Sequence, residues 1–138
     1  MTKTFDLKKY FEEQRVYVEK ELDHVLPASD VRPVVLHRAM RHAVMAGGKR
    51  IRPVLCLSAS ESVGGTMEQA LKPAIALELL HSYTLVHDDL PSMDNDTLRR
   101  GKPTVHVAFG EANAILAGDA LLTLAFEVLA GITETDKA

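Results

Sequence analysis

Apolar residues recur along this chain at the spacing of α-helices. One stripe of a helix over about residues 6–26 is formed by residues three, four or seven positions apart: Leu7, Phe11, Val18, Leu22 and Val25. Pro27 ends this pattern, because proline interrupts a helix interior. The N-terminal part of the chain is therefore predicted to be one helix with an apolar face.

Prolines and glycines divide the rest of the chain into further predicted helices. Besides a short turn capped by Thr66 and Gln69, four helices are expected, over about residues 33–46, 53–63, 73–90 and 111–129. Pro91 breaks or redirects the long helix, and the RRGKP segment after it is predicted as a loop. The sequence has no alternating strand pattern, so the predicted fold class is all-α.

Composition and charge limit the kinds of protein that this sequence can encode. Hydrophobic residues make up 46% of the chain and charged residues 25%, so its 138 residues can bury the core of one domain. The net charge of −3 excludes a general nucleic-acid binder, which would be strongly basic. One cysteine, Cys56, and no apolar N-terminal segment lead us to expect a cytoplasmic protein. The most apolar windows, residues 74–87 and 114–130, are expected to be buried helices too short to span a membrane.

Four aspartates crowd the end of the long predicted helix, at Asp88, Asp89, Asp94 and Asp96. A helix C-terminus carries negative partial charge, so carboxylates there need a compensating cation. Pro91 lets the chain bend, which would return Asp94 toward Asp88. Ligands that are all carboxylates suit magnesium, which binds one or two carboxylates together with substrate phosphates. The alternative is an acidic helix end that is solvated and binds nothing.

The long helix also carries one polar stripe between apolar faces. Glu78, His81, Thr84 and Asp88 lie three or four residues apart and share a side of the helix. Unpaired buried charge is costly, so this stripe must face water, an ion or a ligand. Taken alone, His81 is better interpreted as a hydrogen-bonded core histidine.

Two basic clusters flank this acidic helix end. Lys49, Arg50 and Arg52 lie in GGKRIRP, and a second cluster follows the aspartates at Arg99, Arg100 and Lys102. Arginine matches phosphate oxygens bidentately, and lysine adds a point charge. Each cluster alone could be an ordinary charged surface. Together with the aspartates they suggest two anions, one held through a metal and one held directly by side chains.

Three stretches in this order resemble the trans-isoprenyl diphosphate synthases, and most closely their bacterial farnesyl diphosphate synthases. The stretches are GGKRIRP, ELLHSYTLVHDDLPSMDNDTLRRGKPTVH and FGEANAILAGDALLTLAFEVL. The resemblance implies an isoprenoid-synthase-type helical bundle around a deep cavity, and a homodimer. It also implies condensation of isopentenyl diphosphate with an allylic diphosphate, such as dimethylallyl or geranyl diphosphate.

The resemblance assigns roles to individual residues. Asp88 and Asp94 would coordinate magnesium that bridges to the allylic diphosphate, with Asp89 in support and Arg99 contacting the same diphosphate. The residues that match those binding isopentenyl diphosphate are Lys49, Arg52, His81 and Arg100.

Product length in this family is set by bulky residues shortly before the first aspartate. Tyr83 and Thr84 occupy these positions, and Tyr83 favours a fifteen-carbon product, with geranylgeranyl or longer products as the alternative.

The sequence departs from the family pattern in two respects. Asn95 stands where relatives often carry aspartate, and after Asp96 the chain offers only Asp119 and Asp136 for the family's second aspartate-rich motif. We therefore expect residues 1–138 to be the N-terminal part of one prenyl synthase domain, inactive alone. The last predicted helix is apolar nearly all round, which also favours an oligomer or a larger protein. The alternatives are a non-catalytic diphosphate-binding subunit and a purely structural bundle.

Overall fold

The computed structural model describes residues 4–133, which form six helices and one two-stranded hairpin. In chain order the elements are α1 (Leu7–Val25), α2 (Val34–Met45), α3 (Ile51–Ser62), α4 (Met67–Asp88), β1 (Leu98–Arg99), β2 (Lys102–Pro103), α5 (Val105–Phe109) and α6 (Glu111–Ala130). The all-α class predicted from periodicity is confirmed.

Helix α4 begins earlier than its proline suggested. Thr66 caps it with a complete capping box: its hydroxyl accepts from the Gln69 N–H, and the Gln69 side chain accepts from the Thr66 N–H. The sequence analysis expected a short turn here and a new helix at Pro73, which is wrong, because Pro73 lies inside one continuous helix. Proline lacks only its own N–H, so the cap and the packing of α4 outweigh one missing backbone hydrogen bond.

The segment predicted as a loop is a β-hairpin. Leu98 pairs with Pro103 and Arg99 with Lys102, in antiparallel register. The two turn residues, Arg100 and Gly101, have φ of 53° and 75°, the positive values that a type I′ hairpin turn requires. Strands of two residues are too short to produce a visible alternation, which is why the sequence pattern did not indicate them.

The core lies around α4, which packs against α6 on one side and α3 on the other. Fully buried side chains from five helices meet there: Val18, Leu22, Val44, Leu57, Leu79 and Leu121. The buried face of α6 consists largely of small residues at helical spacing, namely Ala114, Ala117, Gly118, Leu121 and Ala125. Small side chains let two helices approach closely, so α4 and α6 form a tightly packed pair.

Helix α6 also has a long exposed apolar face. Ile115, Leu116 and Phe126 are 46%, 53% and 60% exposed. Within residues 4–133, α6 alone is long and apolar enough to cross a membrane, by length and composition. The apolar window 114–130 was expected to be too short for that, but the whole helix, predicted over about residues 111–129 and observed over Glu111–Ala130, meets the length criterion. Core helices of soluble proteins meet the same two criteria. Length and composition therefore do not distinguish a core helix from a membrane-spanning one.

Candidate metal and diphosphate sites

The chain folds back directly after α4, as the position of Pro91 predicted. The backbone N–H of Asp94 donates to the carbonyl of Asp88 at 2.8 Å, and that of Asn95 donates to Leu90 at 3.0 Å. Asn95 adopts φ of 53°, a left-handed conformation that asparagine tolerates better than most residues. The turn thus brings Asp94 beside the end of α4, next to Asp88.

Asp89 is buried and bound to Arg99. Both of its carboxylate oxygens accept hydrogen bonds from the guanidinium, Oδ1 from Nη2 at 2.7 Å and Oδ2 from Nε at 2.9 Å. The Asp89 side chain is 4% exposed, and this hydrogen bonding raises the pKa of Arg99. The supporting role expected for Asp89 in a metal site stays a prediction; in the structure both of its carboxylate oxygens are engaged with Arg99. The cation that a helix C-terminus requires for its carboxylates is therefore Arg99.

Asp88 and Asp94 differ from Asp89 in having free carboxylates. Neither makes a side-chain hydrogen bond or ion pair with any residue between 4 and 133. In that same range, no three histidine, cysteine, aspartate or glutamate side chains lie close enough to hold a metal by themselves. Two free carboxylates fit Mg²⁺, whose remaining ligands are commonly water and substrate phosphate oxygens. Among the residues described, Asp88 and Asp94 are thus carboxylates available to such an ion, and their metal binding stays a prediction.

A cleft of about 290 Å³ lies between the glycine-rich segment and α4 and is also lined by Arg100 of the hairpin turn. It is lined by Lys49, Arg50, Ile51, Arg52, Glu78, His81 and Arg100. All four residues predicted to bind isopentenyl diphosphate are in this set, so the structure brings them together. The excess of cations in one cleft makes it suited to an anion.

His81 is half-buried at the wall of this cleft. Its Nε2 lies 3.3 Å from Nη1 of Arg52, and because a guanidinium can only donate, Nε2 accepts in this contact. Burial, and then the charge of Arg52, lower the pKa of His81. The histidine is therefore neutral in this arrangement and serves as part of the cleft wall.

Arg100 approaches the glycine-rich segment from the hairpin turn. Its Nη1 donates to the carbonyl of Gly47, and a Cβ at Gly48 would lie 2.7 Å from the same nitrogen. Gly48 has φ of 144°, a conformation that favours glycine, and a side chain there would also have to displace the end of Arg100. Burial, and then the nearby charge of Arg50, lower the pKa of Arg100. A bound anion would relieve this repulsion between cations.

Tyr83 and Thr84, the two residues expected to limit product length, lie on different sides of α4. The Tyr83 ring packs edge-on against His87, with centroids 5.0 Å apart, and His87 Nε2 lies 3.0 Å from the carbonyl of Ile115 on α6. Thr84 is exposed, and its hydroxyl donates to the carbonyl of His81 at 2.8 Å. Tyr83 thus faces α6, whereas Thr84 lies on the stripe that carries His81.

Sequence reasoning missed the burial of Arg50. It grouped Arg50 with the exposed cations Lys49 and Arg52, but Arg50 is 3% exposed and bound to Glu78, itself 3% exposed. Glu78 was the sequence feature that could have indicated this burial, because a glutamate on a helix surrounded by apolar residues needs a cationic partner.

Comparison with known proteins places these sites in a family context. The family model described as polyprenyl synthetase matches residues 33–138. The chain is 52% identical over 133 residues to the large subunit 1 of a heterodimeric chloroplastic geranylgeranyl pyrophosphate synthase of Arabidopsis thaliana, covering 96% of this chain and 35% of that protein. It is 52% identical over 134 residues to a geranylgeranyl diphosphate synthase of Cyanophora paradoxa, covering 97% of this chain and 44% of that protein.

A solved structure shares the fold. The apo crystal structure of an FPP/GFPP synthase from Zymomonas mobilis matches with a TM-score of 0.88 and 44% sequence identity, covering 94% of this chain and 47% of that one. The chain thus spans less than half the length of these relatives. The resemblance to trans-isoprenyl diphosphate synthases is confirmed, although the curated relatives are mostly named geranylgeranyl rather than farnesyl diphosphate synthases.

Proposed function

The chain belongs to the polyprenyl synthetase family, and we propose that it forms the N-terminal part of a single all-helical prenyltransferase domain. The enzyme would join an allylic diphosphate to isopentenyl diphosphate. Its substrates would bind in the two places described above, the allylic diphosphate beside Asp88, Asp94 and Arg99, and isopentenyl diphosphate in the cleft.

The observation that carries this proposal is the divergence of two consecutive arginines. Arg99 extends to Asp89 on α4, and Arg100 extends to Gly47 at the start of the glycine-rich segment. One tight hairpin therefore supplies a cation to each of two separate anion sites. A surface that only improves solubility gives no reason for such an arrangement.

The two sites suit the two halves of the reaction. The allylic C–O bond breaks, and diphosphate departs with the electron pair. Magnesium, when bound by Asp88 and Asp94, would neutralise charge that develops on the leaving group. Arg99 would stabilise the same charge directly, from a position fixed by Asp89.

Isopentenyl diphosphate must keep its own C–O bond. Lys49, Arg52 and Arg100 would bind its diphosphate without metal, and so without promoting its ionisation. Its double bond attacks the allylic carbon, a C–C bond forms, and loss of a proton restores a double bond. Departed diphosphate is the base that we propose for this proton. Apolar walls that exclude water would protect the cation.

The names of the relatives favour a product of twenty carbons, whereas Tyr83 favoured a product of fifteen carbons. The curated relatives are mostly named geranylgeranyl diphosphate synthases. Tyr83 packs toward α6 and His87, so a growing chain would meet it only if the cavity extends between α4 and α6. We therefore propose a geranylgeranyl-type product, with farnesyl diphosphate as the second candidate.

The exposed apolar face of α6 supports assembly with a second subunit. We propose a homodimer, and the heterodimeric relative of Arabidopsis thaliana makes a different prenyl synthase subunit the alternative. Size measurement in solution, with and without such a subunit, distinguishes the two.

Metal dependence tests the proposed function directly. Isothermal titration calorimetry of the chain should show isopentenyl diphosphate binding in EDTA. Dimethylallyl S-thiolodiphosphate, whose C–S bond resists ionisation, should bind only with Mg²⁺, and Asp88→Asn with Asp94→Asn should abolish that binding alone. Equal metal dependence of both ligands would refute the two-site assignment. We further expect no turnover by residues 1–138 alone, since they lack a second aspartate-rich motif.

A further inference from the structure

Arg50 is the buried member of an otherwise exposed basic segment. Its side chain is 1% exposed, Nη1 donates to Glu78 Oε1 at 2.8 Å, and Nη2 donates to the carbonyl of Val44 at 2.7 Å. Its Nε lies 3.5 Å from Glu19 and has no hydrogen-bond partner among the residues described. The neighbours Lys49 and Arg52, in contrast, are exposed.

The backbone of Arg50 is held in an unusual conformation. Its φ of 52° and ψ of 34° are left-handed, a region that costs a non-glycine residue energy. It immediately precedes α3, and its carbonyl accepts from the N–H of Val54 at 3.2 Å. This conformation turns Arg50 inward while leaving Lys49 and Arg52 facing the cleft. Such a conformation persists where the surroundings impose it, and here the hydrogen bonds of the guanidinium do so.

Glu78 connects this segment to the opposite wall of the cleft. It lies on α4 one turn before His81, so the two residues share a side of that helix. The ion pair of Arg50 with Glu78 therefore links the segment of Lys49 and Arg52 to the helix that carries His81. Glu78 is also the one carboxylate among the residues that line the cleft.

We propose that Arg50 and Glu78 form a positioning pair that organises the isopentenyl diphosphate cleft before the ligand arrives. This inference rests on the proposed function for the identity of the ligand. Arg50 itself does not contact the ligand, because its guanidinium is buried and two of its three nitrogens are already engaged within the fold. The pair acts on binding through the placement of Lys49, Arg52 and His81.

The test replaces the pair while preserving charge balance. Arg50→Met with Glu78→Met leaves the net charge unchanged, and apolar substitution of both partners of a buried pair commonly preserves folding. Arg50→Lys is the second variant, since it keeps the charge but cannot reach both Glu78 and Val44 with one fork. The matched control is Arg41→Met with Asp23→Asn, which removes another inter-helix ion pair of 2.5 Å, outside the cleft.

Binding of isopentenyl diphosphate in EDTA is the first measurement. We expect the double variant to lose about tenfold or more in affinity, because displaced contacts bind poorly, while the control stays within about twofold. In the double variant, the salt dependence of this affinity should not change. In Arg52→Gln, which removes a direct contact with the ligand, the salt dependence should become weaker. An unchanged affinity in the double variant overturns the proposal, and a weakened salt dependence there would make Arg50 a direct ligand.

Hydrogen exchange without any ligand is the second measurement. Amides of residues 47–52 should exchange faster in the double variant and in Arg50→Lys than in the control. Unchanged exchange overturns the proposal even if the chain binds no isopentenyl diphosphate. Failure of the unaltered chain to bind that ligand, by contrast, would count against the proposed function only.

Discussion

Gly118 of α6 lies directly against His87 of α4, and Gly118→Ala should disturb that contact in a calculable way. A Cβ there would overlap Nε2 and Cδ2 of His87 and lie 3.0 Å from Cε1. The ring cannot easily move away, because its Nε2 lies 3.0 Å from the carbonyl of Ile115 and its edge contacts Tyr83. The added methyl group must therefore displace either the imidazole or the helix.

The expected loss of stability follows from three contributions. Overpacking of a tight contact costs about 1–3 kcal/mol. Loss of the His87 hydrogen bond to Ile115 costs a further ~1 kcal/mol. Alanine is favoured over glycine in a helix by about 1 kcal/mol, which offsets part of this. The net expectation is a loss of about 2 kcal/mol, or roughly 1 M in the midpoint of urea unfolding.

A double-mutant cycle isolates the contact with His87. Urea unfolding followed by circular dichroism would compare the unaltered chain with Gly118→Ala, His87→Ala and the combination. Without the imidazole, Gly118→Ala should stabilise by about 1 kcal/mol, which makes the coupling energy about 3 kcal/mol. Equal destabilisation by Gly118→Ala in both backgrounds would refute the reasoning, since the obstruction would then not be His87.

The same substitution has a functional readout. His87 directly precedes Asp88, so a displaced imidazole should shift the carboxylate proposed to hold magnesium. Gly118→Ala should therefore weaken Mg²⁺-dependent binding of dimethylallyl S-thiolodiphosphate and leave metal-free binding of isopentenyl diphosphate unchanged. A loss at both sites would indicate general loss of structure instead.

Three further predictions concern single side chains. Asp89→Asn should release Arg99 and weaken Mg²⁺-dependent binding of the allylic analogue about tenfold in calorimetry, a moderate effect because Arg99 is 34% exposed. His81→Gln should flatten the loss of stability on acidification, measured as urea midpoints between about pH 7 and pH 5. Burial and Arg52 lower the pKa of His81, so the unfolded chain takes up this proton at higher pH, and acid favours unfolding. Tyr83→Ala should lengthen the product of a catalytically complete enzyme, as seen by chromatography of dephosphorylated products.

Each of these predictions has an outcome that contradicts it. Unchanged analogue affinity in Asp89→Asn would mean that Arg99 needs no support from Asp89. Equal pH profiles for His81→Gln and the unaltered chain would remove His81 as a source of acid sensitivity. An unaltered product length in Tyr83→Ala would place the end of the hydrocarbon cavity elsewhere.

The fold and the broad placement of the sites were readable from periodicity and turn residues. Helical spacing gave the long helix with His81 and Asp88, and Pro91 indicated the bend that returns Asp94. These features depend on local sequence, which is why they could be predicted. The start of α4 could not be, because the capping box and packing outweighed the local preference of Pro73.

The partners of individual charges were beyond sequence reasoning. Asp88 and Asp89 are adjacent and chemically identical, yet one is free and the other is bound to Arg99. Arg50 and Arg52 are likewise chemically identical, yet Arg50 is buried and Arg52 is exposed. Ten residues separate Asp89 from Arg99 and 28 separate Arg50 from Glu78, so only the folded chain determines these pairs.

The length of the hairpin should be under evolutionary constraint. Arg99 and Arg100 are consecutive residues that extend to different segments, the end of α4 and the glycine-rich segment, so the spacing of the two anion sites is set by one peptide unit. Inserting or deleting a single residue in β1 would exchange their directions and disable both sites at once. Lineages should therefore tolerate substitutions at those loop positions that belong to neither site, yet preserve the length of the loop. Variation in substrate or product must then arise elsewhere in the chain.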